Sequence, residues 1–167
     1  MGAGILPIAL YRGGLFLLLG QERHNNLWSD FGGSANKNEK PKKTAIREGT
    51  EELNGFFGTE EDLESILEEN LITSICYNRY TSYIFNTHYD KTLVNHFKNT
   101  NRFAEKYLKD KINNDHNGLF EKKDIKWFPL KEFKNKDNLS ILRPHYVEII
   151  NQVVKRERFI INQIGNN

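Results

Sequence analysis

Alternating apolar and polar positions divide the chain into a mixed succession of strands and helices. Short apolar runs rich in β-branched and aromatic residues are typical of strands, whereas apolar residues spaced three and four positions apart are typical of helices. Runs of the first kind predict strands at 5–11, 15–19, 71–77, 82–88 and 124–130. Segments of the second kind predict helices at 41–53, 60–69, 92–110 and 144–161.

Turn-forming residues separate these elements. Gly13-Gly14 stands between the first two apolar runs and predicts a β-hairpin. The Gly- and Asn-rich segment 25–38 is predicted to be a loop. Pro41 occupies a first helical turn, where its missing N–H costs no hydrogen bond, and Asn54-Gly55 ends the same helix. No repeat or linker interrupts this order, which predicts one domain of class α/β (α+β) over residues 1–167.

A polar stretch around 90–123 is longer than a connection between two elements requires. We predict that it is an insertion of helix and loop, and that its loop part contains Asn113, Asn114, Asn117 and Gly118. Because insertions of this kind often carry specificity, the segment is a candidate for substrate selection.

Composition and charge exclude several classes of protein. The 167 residues are 38% hydrophobic, and 24 basic against 22 acidic side chains give a net charge of +2, which argues against a broad nucleic-acid-binding surface. The one cysteine, Cys76, excludes an internal disulfide and is expected to be a small buried side chain in a strand. The sequence has no secretory signal and no run of 18 apolar residues, so we expect a cytoplasmic protein without a membrane span.

Three glutamates, Glu48, Glu51 and Glu52, lie at positions i, i+3 and i+4 of the predicted helix 41–53 and therefore share one face of it. Like charges at this spacing repel, so the arrangement favours a cation between them. Mg²⁺ and Mn²⁺ are the natural candidates, because both are bound through carboxylate oxygens together with water and substrate phosphates. The opposite face of the helix is apolar and can pack on the core.

The loop before this helix supplies a second element. Gly32 and Gly33 allow the backbone to approach a phosphate or a metal ion closely. Arg47 adjoins the acidic face and is expected to pair with Glu39, which would fix the loop against the helix through charge-assisted hydrogen bonds.

Segment 33–55 resembles the Nudix box, G-x5-E-x7-R-E-U-x-E-E-x-G-U, in which U is an aliphatic residue. Gly33 opens the segment, and every charged position of the pattern is matched, by Glu39, Arg47, Glu48, Glu51 and Glu52. Three positions depart from the pattern, because Gly49 and Gly55 stand where aliphatic residues are expected and Asn54 replaces a glycine. We expect Gly49 to mark a place where another backbone or an aromatic ring packs close, and Asn54 to end the helix in the left-handed conformation.

The resemblance implies a Nudix-like α/β/α sandwich with a mixed, curved sheet and metal-dependent phosphoanhydride chemistry. It assigns catalysis to Arg47, Glu48 and Glu52 and a structural role to Glu39 and Arg47. It further implies that Mg²⁺ or Mn²⁺ is bound by the Gly32 carbonyl and by Glu48, Glu51 and Glu52. One more acidic ligand is expected from the loop before the last strand, where Glu121 lies six residues ahead of Trp127, with Glu105 and Asp124 as alternatives.

Two aromatic residues and one basic cluster are candidates for contact with a substrate or partner. Trp28 and Phe31 could stack on a nucleobase beside Gly33, although aromatic residues near such a loop are at least as often part of the core. The cluster at the end of the last predicted helix, formed by Lys155, Arg156 and Arg158, either places cations favourably at a helix end or makes a weak RNA contact.

By this resemblance the expected reaction is hydrolysis of a phosphoanhydride in a nucleoside diphosphate linked to another group, with a small nucleotide or capped RNA as substrate. Removal of the mRNA cap and cleavage of diphosphoinositol polyphosphates are alternatives within the same chemistry. The 20 asparagines fit an A/T-rich source such as a large DNA virus, some of which encode Nudix proteins with these two activities. An alternative of another class is a binding module that senses a nucleotide without cleaving it. The oligomeric state stays open.

Overall fold

The computed structural model describes residues 1–112 and 120–165, the side chains of residues 111 and 112 excepted, so the predicted loop with Asn113, Asn114, Asn117 and Gly118 lies outside the described residues. Within the described residues seven strands form one sheet: β1 (Gly2–Tyr11), β2 (Gly14–Glu22), β3 (Trp28–Ser29), β4 (Phe31–Ser34), β5 (Leu71–Tyr77), β6 (Tyr80–Asn86) and β7 (Lys122–Pro129).

Strand β1 is the centre of this sheet. It pairs antiparallel with β2 and β4 and parallel with β6, which makes the sheet mixed, as predicted. Strands β3 and β7 pair with β2, and β5 pairs with β6. The β1–β2 hairpin turns at Arg12 and Gly13, whose φ angles are 48° and 76°, so the turn lies one residue earlier than the predicted Gly13-Gly14.

Helices of the described chain connect the strands and cover the sheet. They are α1 (Pro41–Glu52), α2 (Glu60–Asn70), α3 (Lys91–Tyr107), α4 (Lys109–Ile112), α5 (Pro144–Lys155) and α6 (Glu157–Gly165), together with two 3₁₀ helices at Leu130–Lys134 and Lys136–Ile141. The bounds of α1 and α2 agree with the predicted helices to within one residue. Among the residues that the structure describes, no helix is both long enough and apolar enough to cross a membrane.

The hydrophobic core has two parts, one on each face of the sheet. In β1, Ile5 and Ala9 pack on the side of α1, α2 and α3, whereas Leu6 and Ile8 pack on the side of α5, because successive side chains of a strand point to opposite faces. All four side chains are buried, as expected for a central strand that is covered on both sides. The predicted α/β/α sandwich is therefore confirmed.

Three details of the prediction are wrong. Segment 25–38 is more than a loop, since the short strands β3 and β4 lie in it and pair with β2 and β1, which lie outside the segment. The closing helix predicted at 144–161 is two helices, α5 and α6, which are separated at Arg156. Cys76 is exposed rather than buried, because its neighbour Ile75 takes the inward position in β5.

Candidate active site

Helix α1 lies directly on the centre of the sheet, against β1 and β4. Gly49 permits this close approach, because a Cβ at that position would lie only 2.6 Å from Cδ1 of Ile5. The neighbour of Gly49 is thus an aliphatic side chain, and the expected backbone or aromatic contact is wrong. The close packing brings the acidic face of α1 beside β4, which carries Gly32 and Gly33.

Arg47 connects the loop before α1 with the acidic face of the helix. Its Nε and Nη2 donate to the two carboxylate oxygens of Glu39, both at 3.0 Å, and Nη2 also donates to the Ser34 carbonyl at 3.1 Å. Its Nη1 lies 2.9 Å from Oε1 of Glu48 and 3.3 Å from Oε2 of Glu51. The predicted pairing of Arg47 with Glu39 is present, and the same guanidinium holds two of the three helix glutamates.

The environment of Glu39 predicts an acid-sensitive contribution to stability. Hydrogen bonds from Arg47, from the backbone N–H of Asn36 and from the hydroxyl of Thr44 lower the pKa of Glu39 from 4.5 to about 2. Because the folded-state pKa is below the unfolded value, this contribution is present above pH 4.5 and is lost as the pH falls towards 2. We expect the Tm of the wild type, followed by circular dichroism, to fall further over this range than the Tm of Glu39→Gln. Equal losses in the two proteins would contradict the assignment.

Glu48 brings further negative charge to the glycine loop, and Glu121 interacts electrostatically with the helix glutamates. The Glu48 carboxylate packs so closely on Gly33 that a Cβ at Gly33 would lie 2.5 Å from its Oε2. Partial burial and the charge of Glu48 raise the pKa of Glu121, which stands immediately before β7. Burial also raises the pKa of Glu51, and the charges of Glu48 and Glu121 add to that effect. The fold therefore brings Glu121 towards the helix glutamates.

Glu52 is the buried member of the set, with 3% of its surface exposed. Its Oε2 accepts the backbone N–H of Gly32 at 2.7 Å, and its Oε1 lies 3.3 Å from Nζ of Lys122. Burial raises the pKa of Glu52 to about 8, since the charge of Lys122 offsets only part of the desolvation. Glu52 thus joins the end of α1 to the glycine loop through its own carboxylate.

Lys122 is a completely buried lysine that sequence reasoning missed. Its Nζ lies 2.6 Å from Oε1 of Glu22, 3.1 Å from Oγ of Ser29 and 3.3 Å from Oε1 of Glu52, which gives three partners for three N–H donors. Glu22 also accepts from Nη1 of Arg143 at 3.0 Å. Burial favours the neutral amine, but the carboxylates of Glu52 and Glu22 outweigh it and raise the pKa of Lys122. The sequence neighbours of Lys122 are polar as well, so no local signal identifies it.

The acidic face fits a divalent cation by the chemistry of its donors, which are hard carboxylate oxygens beside the Gly32 backbone. In the arrangement present, no three His, Cys, Asp or Glu side chains of the described residues lie close enough together to hold one ion. Basic side chains of the protein already form salt bridges with these carboxylates, because Arg47 contacts Glu48 and Glu51 and Lys122 contacts Glu52. Binding of a metal ion therefore requires the glutamates to exchange these contacts.

Asn54 ends α1 in the left-handed conformation, with φ of 52°, as predicted. Its side chain adds contacts that a glycine lacks, because Oδ1 accepts the N–H of Phe120 at 2.9 Å and Nδ2 donates to Oδ1 of Asn101 at 3.2 Å. Asn101 is buried on α3 and donates to the carbonyl of Lys122 at 2.8 Å. These bonds tie the end of the box helix to the segment that carries Glu121.

Asn54→Gly is expected to lower the free energy of unfolding by about 1–2 kcal/mol, although glycine adopts positive φ more readily than asparagine. The substitution leaves Oδ1 of Asn101 and the N–H of Phe120 without their partner, which outweighs a backbone gain of at most about 1 kcal/mol. Urea denaturation measures the change. Asn78→Gly is the matched control, because Asn78 has φ of 46° in the β5–β6 turn, and there we expect no loss. A more stable Asn54→Gly protein would show that only the backbone conformation matters at this position.

The two aromatic candidates for substrate contact differ in exposure. Phe31 is completely buried in the core on the α1 side of the sheet, so its predicted stacking on a substrate is wrong. Its backbone pairs with Ile5 of β1, and this register turns the ring inward. Trp28 is half-buried and packs edge-on against Phe128, with ring centroids 4.9 Å apart. A stacking role for Trp28 stays a prediction.

Each of the two alternative acids is paired with a basic side chain. Glu105 pairs with Arg23, and Asp124 pairs with Lys98 at 3.4 Å. The cluster of Lys155, Arg156 and Arg158 is exposed around the break between α5 and α6, not late in one continuous helix. Only Lys155 stands in a last helical turn, where a cation suits the helix dipole.

Comparisons with known proteins give matches only among solved structures, since no protein-family model and no curated protein matches the chain. An Ap4A hydrolase of C. elegans, in a binary complex, is 18% identical, and the match covers 96% of this chain and 97% of that one with a TM-score of 0.53. The NUDIX domain of NrtR from Shewanella oneidensis, complexed with ADP ribose, is 15% identical over 93% of this chain and 86% of that one, with a TM-score of 0.50.

A third structure is a bifunctional NMN adenylyltransferase/ADP ribose pyrophosphatase from Francisella tularensis, complexed with AMP and a Mn ion. It is 18% identical and has a TM-score of 0.59, and the match covers 93% of this chain but 41% of that one. At such low identities the three matches establish a shared fold. It is the fold that the resemblance of segment 33–55 implied.

Proposed function

Since the chain has the Nudix fold and keeps every charged residue of the box, we propose that it is a metal-dependent hydrolase of phosphoanhydrides in nucleoside diphosphates linked to another group. The observation that carries the proposal is the set of glutamates on α1 that meets the Gly32-Gly33 backbone through Glu48 and Glu52. Similarity to an Ap4A hydrolase and to an ADP ribose pyrophosphatase supports the same bond type. Mg²⁺ or Mn²⁺ is the proposed cofactor, and its proposed ligands are the Gly32 carbonyl, Glu48, Glu51, Glu52 and Glu121.

In the proposed reaction the bound cation, Arg47 and Glu48 have different roles. A bound cation neutralises charge on the pyrophosphate and lowers the pKa of a coordinated water. Arg47 fixes the loop to the helix through Glu39, so that the backbone at Gly33 is held where a phosphate oxygen can approach. Glu48 is the proposed base, which takes a proton from the water as its oxygen bonds to one phosphorus and the bridging oxygen leaves with the other phosphate.

A substrate panel tests the proposal. The protein is incubated with Mg²⁺ or Mn²⁺ and with ADP-ribose, dinucleoside polyphosphates, a diphosphoinositol polyphosphate or capped RNA, and the products are quantified by anion-exchange chromatography. We expect product release that depends on the metal and stops with EDTA. Release from capped RNA alone would favour decapping, and release from the inositol substrate alone would favour that alternative. Tight nucleotide binding without any product would favour the binding module.

A further inference from the structure

A cluster of polar side chains lies beside Gly32 on the side of the sheet that α5 covers. It consists of Asp30, Tyr80, Ser82 and Tyr146, and we call it the Asp30 cluster. Oδ1 of Asp30 accepts the hydroxyl of Tyr80 at 2.7 Å, and Oδ2 accepts that of Ser82 at 2.6 Å. The hydroxyl of Tyr146, on α5, lies 3.4 Å from Oγ of Ser82. Asp30 has 1% of its surface exposed, and burying a carboxyl group is costly, yet none of these side chains acts in the proposed reaction.

The ring of Tyr80 extends from β6 across β1 to β4. Tyr80 pairs with Gly2 of β1, where a Cβ would lie 3.0 Å from Cδ2 of the ring. Gly4 and Gly32 face each other across β1 and β4, and the Tyr80 hydroxyl occupies the space into which a Cβ of either glycine would project. The ring fits because these three positions lack a side chain, and its hydroxyl lies directly against the backbone of Gly32.

The box glutamates hold the same backbone from other directions. The N–H of Gly32 donates to Oε2 of Glu52 at 2.7 Å. Since the N–H and C=O of one strand residue point to the same edge, the Gly32 carbonyl is also directed to the edge where Glu52 lies. At Gly33 a Cβ would project towards the Glu48 carboxylate on the opposite face, because successive positions of a strand alternate. Both polar groups of Gly32 are thus directed away from β1, so contacts with Glu52 and Tyr80, rather than ladder bonds, fix its position.

We infer that Tyr80 is a positioning residue for Gly32, because its hydroxyl, fixed by Asp30, holds the Gly32 carbonyl where it can bind the catalytic cation. The inference rests on the proposed function for the role of that carbonyl. Phenylalanine at position 80 would preserve the ring over Gly2, but Asp30 would lose a donor and Gly32 would lose its neighbour on the α5 side. Gly32 would then be free to shift relative to Glu52.

Tyr80→Phe tests the inference, and Ser82→Ala is its matched control. Each variant removes one hydroxyl that donates to Asp30, but it is the hydroxyl of Tyr80 that lies against Gly32. We expect the Tm to fall by a similar amount in both variants, because each loses one buried hydrogen bond. A purely structural role of the Asp30 cluster would therefore affect the two variants alike.

The first readout is hydrogen exchange of the Gly32 N–H. It is measured by NMR in EDTA and expressed relative to the N–H groups of the central strand β2, whose exchange follows global unfolding. We expect Tyr80→Phe to raise this relative rate about tenfold, which corresponds to the loss of one hydrogen bond from the local stability, while Ser82→Ala keeps the wild-type value. An unchanged relative rate in Tyr80→Phe, or an equal increase in both variants, overturns the inference.

The second readout is Mn²⁺ affinity by electron paramagnetic resonance, together with the dependence of kcat on Mn²⁺ for any substrate that is cleaved. We expect Mn²⁺ to bind about tenfold more weakly to Tyr80→Phe and as in the wild type to Ser82→Ala, and saturating Mn²⁺ to restore the kcat of Tyr80→Phe. Wild-type Mn²⁺ affinity in Tyr80→Phe overturns the role towards the cation. If none of the three proteins binds Mn²⁺ or cleaves a substrate, but Gly32 exchange depends on Tyr80, the proposed function fails while the positioning of Gly32 by Tyr80 is upheld.

Discussion

Replacing Glu52 by glutamine is expected to reduce the rate of hydrolysis by about 10³-fold while the fold is retained. The amide oxygen of glutamine can still accept the Gly32 N–H that Oε2 of Glu52 accepts at 2.7 Å. The substitution removes the negative charge that the proposed function assigns to metal binding. Because burial raises the pKa of Glu52 to about 8, loss of the charge also removes a desolvation cost, so the free energy of unfolding should stay within about 1–2 kcal/mol of the wild type.

Three measurements separate a lost metal ligand from a damaged fold: kcat with the preferred substrate, Mn²⁺ affinity by electron paramagnetic resonance, and Tm. Glu69→Gln makes the same chemical change at an exposed position of α2 and should behave as the wild type. We expect Glu52→Gln to lose both activity and Mn²⁺ affinity at nearly constant Tm. Retention of more than about a tenth of the wild-type rate would remove Glu52 from the proposed ligand set.

Elements with a continuous buried face were predictable from the sequence. The bounds of α1 and α2 follow from local periodicity, because each of these helices packs a regular apolar stripe on the sheet. Strands β3 and β4 were not predictable in the same way. They have two and four residues, and they exist through pairing with β2 and β1. The residues of segment 25–38 do not include these partner strands, so the local sequence pattern could not predict the pairing.

The spacing of the charged residues in the sequence predicted that the box glutamates share one helix face and that Arg47 pairs with Glu39. It did not predict which of the glutamates is buried. Glu48 and Glu51 remain at the surface side with Arg47, whereas Glu52 turns beneath β4. That difference depends on Lys122, which reaches Glu52 only because β7 pairs with β2. Phe31 was ambiguous for a related reason, since the register of β4 against β1 decides where its ring points.

The largest loss of stability is expected for Lys122→Met. The aliphatic part of the Lys122 side chain packs closely on Gly20, since a Cβ at Gly20 would lie 2.9 Å from Cδ of Lys122. A methionine at position 122 can occupy the same space, but it lacks the ammonium group. Glu22 keeps Arg143, whereas Glu52 loses the one cation that forms a salt bridge with it among the described residues. At a pH above the Glu52 pKa of about 8, where the carboxylate is ionised, leaving it without this cation costs about 3–5 kcal/mol, which corresponds to a fall in Tm of roughly 10 °C for a chain of this size.

Urea denaturation of single and double variants tests whether the Glu52 carboxylate is the charge that Lys122→Met leaves unpaired. Lys123→Met is the matched control, because Lys123 is the next residue of β7 and is exposed, and we expect it to cost less than about 0.5 kcal/mol. In the double variant Lys122→Met with Glu52→Gln the unpaired carboxylate is absent. We therefore expect the double variant to recover about half or more of the stability that Lys122→Met loses, which corresponds to a coupling energy between the two positions above about 1 kcal/mol. Additive effects would mean that Glu52 is not the partner of Lys122. Equal losses in Lys122→Met and Lys123→Met would mean that the Lys122 ammonium is not paired in the core.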